Sequence, residues 1–273
     1  MKIIKSNLYL PILLAITLGA CNKDSDPTPA CEAESITLNA QGDITTFNFS
    51  TEQSGMLSDI SFYAGTDSAY QLVYTYTDGK VSKVENKNGK TGAVEVYYTV
   101  EYDGANIAKY VEYTYFDLIL DYKLTSEARY VYSNGTLSSI DIYAPNSAGS
   151  FFQIADMAFR FTANNVERVQ FNLDLASTLA LIFGQDPTGY NGAKVFVRES
   201  TFDTATNPLS GNFIPDPGMI TLGMNANNEN SITIIANNGS AETMALGLDY
   251  NEQGFVIAGT SPQLSYEVAY NCQ

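Results

Sequence analysis

Histidine is absent from the 273 residues, and so is tryptophan. The first absence removes imidazole acid–base catalysis, histidine metal ligation and a histidine pH switch together. Basic side chains are scarce: 14 Lys and Arg stand against 30 Asp and Glu, for a net charge of −16. Nucleic acid is therefore not an expected partner, because phosphate binding needs a basic footprint. No Gly-x-Ser-x-Gly elbow, Ser-x-x-Lys pair or Gly-rich phosphate loop occurs, so serine and phosphate chemistry lack their usual frames. Thirty acidic residues make some close carboxylate pair unavoidable. None stands isolated among apolar residues as a raised-pKa acid would. The chain reads as no enzyme, with no cofactor and no metal. A carboxylate-based glycan-active enzyme is the remote alternative.

What is abundant is strand-forming. There are 19 Tyr and 14 Phe, and 45% of the chain is hydrophobic. Tyr, Phe, Val, Ile and Thr suit a pleated, half-buried surface. That content fills a sizeable core and excludes disorder.

Residues 1–20 read as an export address. Lys2 and Lys5 precede an apolar run from Leu8 to Leu18, which ends in Leu18-Gly19-Ala20-Cys21. The run is too short and too one-sided for a membrane span. The last four residues resemble a bacterial lipobox, which implies cleavage before Cys21 and lipidation of its thiol. Acyl chains on Cys21 then supply a stable membrane anchor. Without residues 1–20, which carry two lysines and no acid, 12 basic and 30 acidic side chains remain, a net charge of −18. Residues 21–32 form a tether with two Pro, two Asp and no large apolar residue. Its Asp24 and Asp26 resemble the acidic export signal of surface lipoproteins in Bacteroidetes. This implies an outer-membrane, surface-exposed location, the alternative being a periplasm-facing anchor.

Cys21 leaves Cys31 and Cys272, which flank the rest of the chain. In an oxidising envelope compartment two leftover thiols are expected to pair. Closing a loop of this length contributes about 5 kcal/mol in the chain-entropy picture. Two Cys without His make no standard zinc site.

Residues 33–273 read as one domain with an internal repeat. Each unit has a ring two residues after another apolar residue, then a polar turn, then an apolar residue five places after the ring. Tyr74-Thr75-Tyr76 leads through Asp78-Gly79 to Val81, Val100-Glu101-Tyr102 to Ile107, and Tyr130-Val131-Tyr132 to Leu137. Phe159-Arg160-Phe161 leads to Val166, Leu248-Asp249-Tyr250 to Phe255, and a looser copy runs from Phe49 to Leu57. The rings at 49, 76, 102, 132 and 161 are 27, 26, 30 and 29 apart, and 250 follows 89 later. A fixed period marks a stacked unit, and Asp-Gly and Asn-Gly mark hairpin turns. Val81 to Val84 and Ile107 to Tyr110 are spaced by three, which breaks the strand period of two. This implies a β-bulge or burial of both faces.

The fold expected is all-β: an antiparallel meander of repeated hairpins, strongly curved or barrel-like, with about 12 to 14 strands. Leu173 to Phe183 reads as one short helix, or else another strand. Residues 203–218 read as a long crossing loop rich in Pro, and 225–230 as a polar turn.

The aromatic-x-Tyr-x-x-Gly-x-apolar pattern resembles the YD/Rhs-type repeat. The chain also resembles Bacteroidetes envelope lipoproteins of unknown function built from such repeats, including a porin-like domain family. The stretches that carry this are Phe202-Asp203-Thr204-Ala205-Thr206-Asn207-Pro208-Leu209, Asn227-Asn228 and Leu248-Asp249-Tyr250 through Phe255. The resemblance implies a barrel-like sheet and an envelope location, and no reaction.

Three softer features complete the reading. Asp186, Asn191 and the Asp203–Asn207 turn offer hard oxygens to calcium, or plain hydrogen bonds within loops. Tyr97, Tyr98, Tyr102, Tyr110, Tyr113, Tyr115 and Tyr122 offer rings for a sugar or a partner, or straddle the sheet faces. Asp67-Ser68-Ala69 and Asp203-Thr204-Ala205 resemble O-glycosylation tripeptides of Bacteroidetes envelopes, which implies modification at Ser68 and Thr204. The function expected is a lipid-anchored envelope protein with a non-catalytic binding or structural role. Its partners are the membrane through the lipid, and a glycan or an envelope protein. The alternative is a carrier of an apolar or lipid ligand in a barrel cavity.

Overall fold

Alternating apolar residues between tight turns fold the described residues into seventeen strands in one antiparallel, nearly closed barrel. The structure is a computed structural model. It describes residues 31–52, 56–117, 120–145, 149–174, 193–207, 210 and 224–272. The strands are β1 Cys31–Ala40, β2 Asp43–Thr51, β3 Leu57–Ala64, β4 Asp67–Thr77, β5 Lys80–Asn88 and β6 Val94–Asp103. Next come β7 Asn106–Phe116, β8 Asp121–Ser133, β9 Thr136–Pro145, β10 Phe151–Thr162, β11 Asn165–Asp174 and β12 Ala193–Thr206. The chain ends with β13 Asn227–Ile235, β14 Ala241–Ala245, β15 Gly247–Tyr250, β16 Val256–Thr260 and β17 Ser265–Cys272.

From β1 each strand pairs with the next as far as β14; β15 pairs with β16, and β16 with β17. β17 then returns to β1. β14 and β15 are tandem halves of one segment broken at Leu246. The first half pairs with β13 and the second with β16. The expected 12 to 14 strands fall short because β1, β2 and the short strands after 225 carry little of the repeat. Leu173 and Asp174 of the expected helix close β11 as strand, and 175–183 lie outside the described residues. Residues 203–206 of the expected crossing loop are the end of β12, and 227–230 of the expected turn begin β13.

The spacing of three is a bulge, repeated in every hairpin of the series. Tyr76 faces Val81 while Thr75 faces Lys83, so Ser82 is the extra residue. Ala108, Ser138, Glu167 and Ile257 are extra in the same way opposite Tyr102, Tyr132, Phe161 and Tyr250. In the loose copy Ser58 is extra and Thr51 faces Leu57, so the unit's anchor position is Thr51 and not Phe49. A bulge re-aims the strand, which turns both Val81 and Val84 inward.

Tyrosine at three of the anchors also ties its unit to the one before. The Tyr76 hydroxyl donates to the Leu57 carbonyl at 2.8 Å. The hydroxyls of Tyr102 and Tyr132 are hydrogen-bonded to the backbone of Val81 and Ile107. Tyr270 donates to the Val256 carbonyl at 2.8 Å. Each partner is the residue facing the preceding anchor. Phe161 has no hydroxyl to continue the series. Its turn also lacks glycine: Ala163 and Asn164 both hold positive φ, 50° and 65°, the type I′ geometry that Asp78-Gly79 supplies more easily.

Inward residues from around the barrel form one contiguous core, with Leu38, Ile60, Val84, Ile140, Ile232 and Val256 fully buried. Aromatic pairs between neighbouring strands line it, such as Phe62 stacked on Tyr70 at 4.0 Å. The outward face alternates with it and carries charges on many strands, with Ile44, Val131 and Ile257 exposed among them. Glu85, Glu101, Arg129, Arg160, Arg168 and Glu267 all point out between core residues.

Candidate functional site

Strand direction sorts the connections onto two ends. Cys31, Cys272 and the tight turns at 78–79, 104–105, 134–135 and 163–164 share one end, here the terminal end. The connections after β5, β7, β9 and β11 leave from the far end.

The largest buried polar cluster lies near the terminal end, where β12 meets β13. Between Phe202 and Thr206 the ladder loses register, with Phe202 facing Glu229 and Thr206 facing Asn227. Backbone groups there need other partners, and side chains supply them. Asp203 accepts four hydrogen bonds. Ala205 N at 3.1 Å and Asn228 N at 3.0 Å reach Oδ1. Asn228 Nδ2 at 3.1 Å and the Tyr250 hydroxyl at 2.7 Å reach Oδ2. Burial, and then the bond to Asp203, push Tyr250 up to about 12.

Asn165 and Asn227 form a reciprocal pair. Asn227 N donates to Asn165 Oδ1 at 2.8 Å, and Asn165 Nδ2 to Asn227 Oδ1 at 3.0 Å. Val166 N donates to Asn225 Oδ1 at 2.7 Å, and Asn207 Nδ2 donates to the Asn225 carbonyl. Asn207, Asn225 and Asn228 are fully buried. Beside them Arg198 Nη2 donates to both oxygens of Glu229. The Glu229 side chain is 1% exposed and that of Arg198 13%. Burial holds the Glu229 carboxyl above its ordinary range, and Arg198 opposes that shift.

This cluster is built to hold strands rather than to react. Asp203 has donors on both oxygens, which also fills the positions a calcium ion would need. Glu229 is sealed and ion-paired, so the two carboxylates make no open acid–base pair. Asp186 and Asn191 lie outside the described residues. Among the described residues no group of three or more Cys, Asp or Glu could hold a metal ion.

The same cluster explains the motif stretches. Asp203 and Asn207, Asn227-Asn228 and Tyr250 come from segments far apart in the chain and meet here. Asn165, Arg198, Asn225 and Glu229 escaped the sequence reading. The missing glycine at 163–164 was a faint pointer, since that turn packs against this cluster through Ala226 N to the Asn164 carbonyl at 3.2 Å.

The tyrosine-rich stretch divides between faces. Tyr98, Tyr102 and Tyr110 belong to the core or pack against it. Tyr97, Tyr113, Tyr115 and Tyr122 are half-buried on the outer face. Tyr97 stacks on Tyr113 at 4.7 Å and 12°, and Lys83 Nζ lies 4.7 Å from the Tyr97 ring centre. Tyr122 meets Tyr97 and Tyr115 edge-on and donates to the Val94 carbonyl at 2.7 Å. The rings therefore spend their faces on one another and on Lys83.

Of the two glycosylation tripeptides, Thr204 is exposed in the β12 bulge and Ser68 is half-buried. A Cβ on Gly89 would fall 2.3 Å from Ser68 Oγ, so that hydroxyl is packed against backbone. Cys21 lies outside the described residues. Cys31 and Cys272 face each other in the β1–β17 register.

Two solved structures share this architecture. One is a porin-like protein from Bacteroides vulgatus, 9% identical, covering 88% of this chain and 98% of that one, with a TM-score of 0.54. The other is a porin-like protein from Bacteroides uniformis, 11% identical, covering 88% and 96%, with a TM-score of 0.50. At these identities the likeness is one of fold. No family model matches the sequence, and no curated protein does.

Proposed function

We propose that this is a lipid-anchored protein of the outer membrane, exposed at the cell surface, whose barrel is a non-catalytic binding or structural module standing in water. The observation that carries this reading is the polarity of the two faces. A membrane-spanning barrel needs an apolar outer band and a polar lumen. This barrel has the reverse, with a packed apolar interior and charges on outward positions of strand after strand. Glu85 or Arg168 against hydrocarbon would be strongly unfavourable. Attachment therefore falls to Cys21 and its tether, and the porin-like neighbours support the barrel without supporting a pore. The packed interior also weighs against the carrier reading.

The tether joins at Cys31, so the terminal end faces the lipid and the far end faces away. Partner binding is assigned to the far end. There Phe116 and Leu120 beside the β7–β8 turn are 42% and 76% exposed, and Leu120 holds an unfavourable positive φ of 50°. A protein partner fits better than a glycan, because the outer tyrosine faces are already occupied. Thr204, the more open tripeptide, is the site assigned to O-glycosylation. Replacing Cys21 with Ser tests the anchor: the protein should leave the membrane fraction or accumulate uncleaved. Unchanged processing and unchanged membrane association would refute the anchor.

A further inference from the structure

We propose that Cys31 and Cys272 are joined by a disulfide that locks the barrel seam where the N-terminal tether enters. The seam is the β1–β17 ladder, which runs from Cys31↔Cys272 to Asn39↔Ser265. Residues facing each other in an antiparallel ladder have Cα atoms about 4.5 to 5.5 Å apart. A disulfide takes about 4.4 to 6.8 Å, so the backbone already holds both cysteines at bonding distance. They occupy the first rung of the seam.

That rung is also the weakest place to pull. β2 pairs with β1 only from Ser35↔Asn48 onward. Among the described residues, the backbone of 31–34 is therefore laddered to β17 only, with the Thr51 hydroxyl donating to Glu32 at 2.6 Å and Ala33 buried in the core. The register also shifts between Ala33 and Ser35. A force arriving through residues 22–30 would peel Cys31, Glu32 and Ala33 one rung at a time before meeting a strand held on both sides. A bond at the first rung passes that load to β17 and keeps two strand edges covered. Formation is a two-electron exchange. Both thiols lose their protons, one S–S bond forms, and a small-molecule or protein disulfide is reduced to two thiols. The load-bearing role rests on the lipid-anchor reading; the bond itself does not.

The test uses the full chain exported to an oxidising compartment, or refolded with oxidised glutathione. Peptide mapping without reduction should give one linked pair containing Cys31 and Cys272 in a monomer. Reduction should lower the Tm by about 10 °C and raise amide exchange at residues 32–36. Cys21→Ser should keep the bond whether or not the protein stays on the membrane, which separates this proposal from the anchor. Two free thiols, or Cys31 bonded to Cys21 or to a second chain, would overturn the bond. Unchanged exchange at 32–36 on reduction, or in Cys272→Ser, would overturn the lock.

Discussion

The barrel is held together in two chemically different ways. From β4 to β11 it is a series of similar hairpins, each with a tight turn, one bulge and an anchor ring. Three of those rings, Tyr76, Tyr102 and Tyr132, bond the backbone of the preceding unit. From β12 to β16 register fails between β12 and β13, the strands β14, β15 and β16 are only 5, 4 and 5 residues long, and side chains of Asn165, Asp203, Asn225, Asn227 and Asn228 take the place of the ladder. A repeated unit can rely on its backbone, because each copy meets the same neighbour. Where the repeat ends, the last strands must curve back to β1, and unique side-chain contacts carry the join.

The contrast predicts where damage concentrates. Arg198→Ala leaves Glu229 buried without its cation and should cost about 4 kcal/mol of unfolding free energy in a urea titration. The deficit should shrink at acid pH as Glu229 takes up a proton. A loss below 1 kcal/mol at neutral pH would show the pair to be incidental. Asp203→Ala strips acceptors from Asn228, Ala205 and Tyr250 together and should cost about 3 kcal/mol. If it costs no more than Tyr76→Phe, about 1 kcal/mol, the two regions do not differ as described.

The tyrosine half has its own signature in alkali. Burial raises Tyr76 to about 12 and raises Tyr102, Tyr130 and Tyr132 as well. A phenol raised in the folded state gives stability that is complete below its unfolded value of about 10 and is lost as pH rises through the folded value. Tyrosinate absorbance should therefore lag at pH 10 and climb together with loss of β-sheet signal toward pH 12. Independent titration near 10 in a still-folded protein would contradict the burial of these rings. The smallest effect expected is a gain. Ala163→Gly relieves a side chain at positive φ in the one tight turn of the series without glycine, and should stabilise by about 1 kcal/mol.

Much of the regular half was legible in the sequence because its signals are local. Alternation, Asp-Gly and Asn-Gly turns, and a spacing of three all act within ten residues, and the bulge follows from them. The join was not legible, because its meaning lies in contacts between residues 165, 203 and 227, which no periodicity links. Asp203 and Asn228 could be quoted as motif letters without any sign that they bond each other. Arg198 looked like an ordinary strand charge and Glu229 like part of a polar turn, and only the inward phase of β12 and β13 makes them a buried pair. For the Tyr97–Tyr122 stretch the sequence left a binding surface and rings straddling the sheet faces both open, because which rings turn outward and stack, as Tyr97 does on Tyr113, depends on cross-strand register.

The function proposed has the barrel standing in water and touching the membrane only through its tether. It is tested most directly by inserting a protease recognition sequence within residues 22–30 and cutting the tether on intact membranes. The account predicts that the fragment beginning near residue 31 moves entirely to the soluble fraction, folded and with its β-sheet spectrum unchanged. A cut fragment that stays with the membrane until detergent is added would mean that the strands themselves engage lipid, and the account would be wrong.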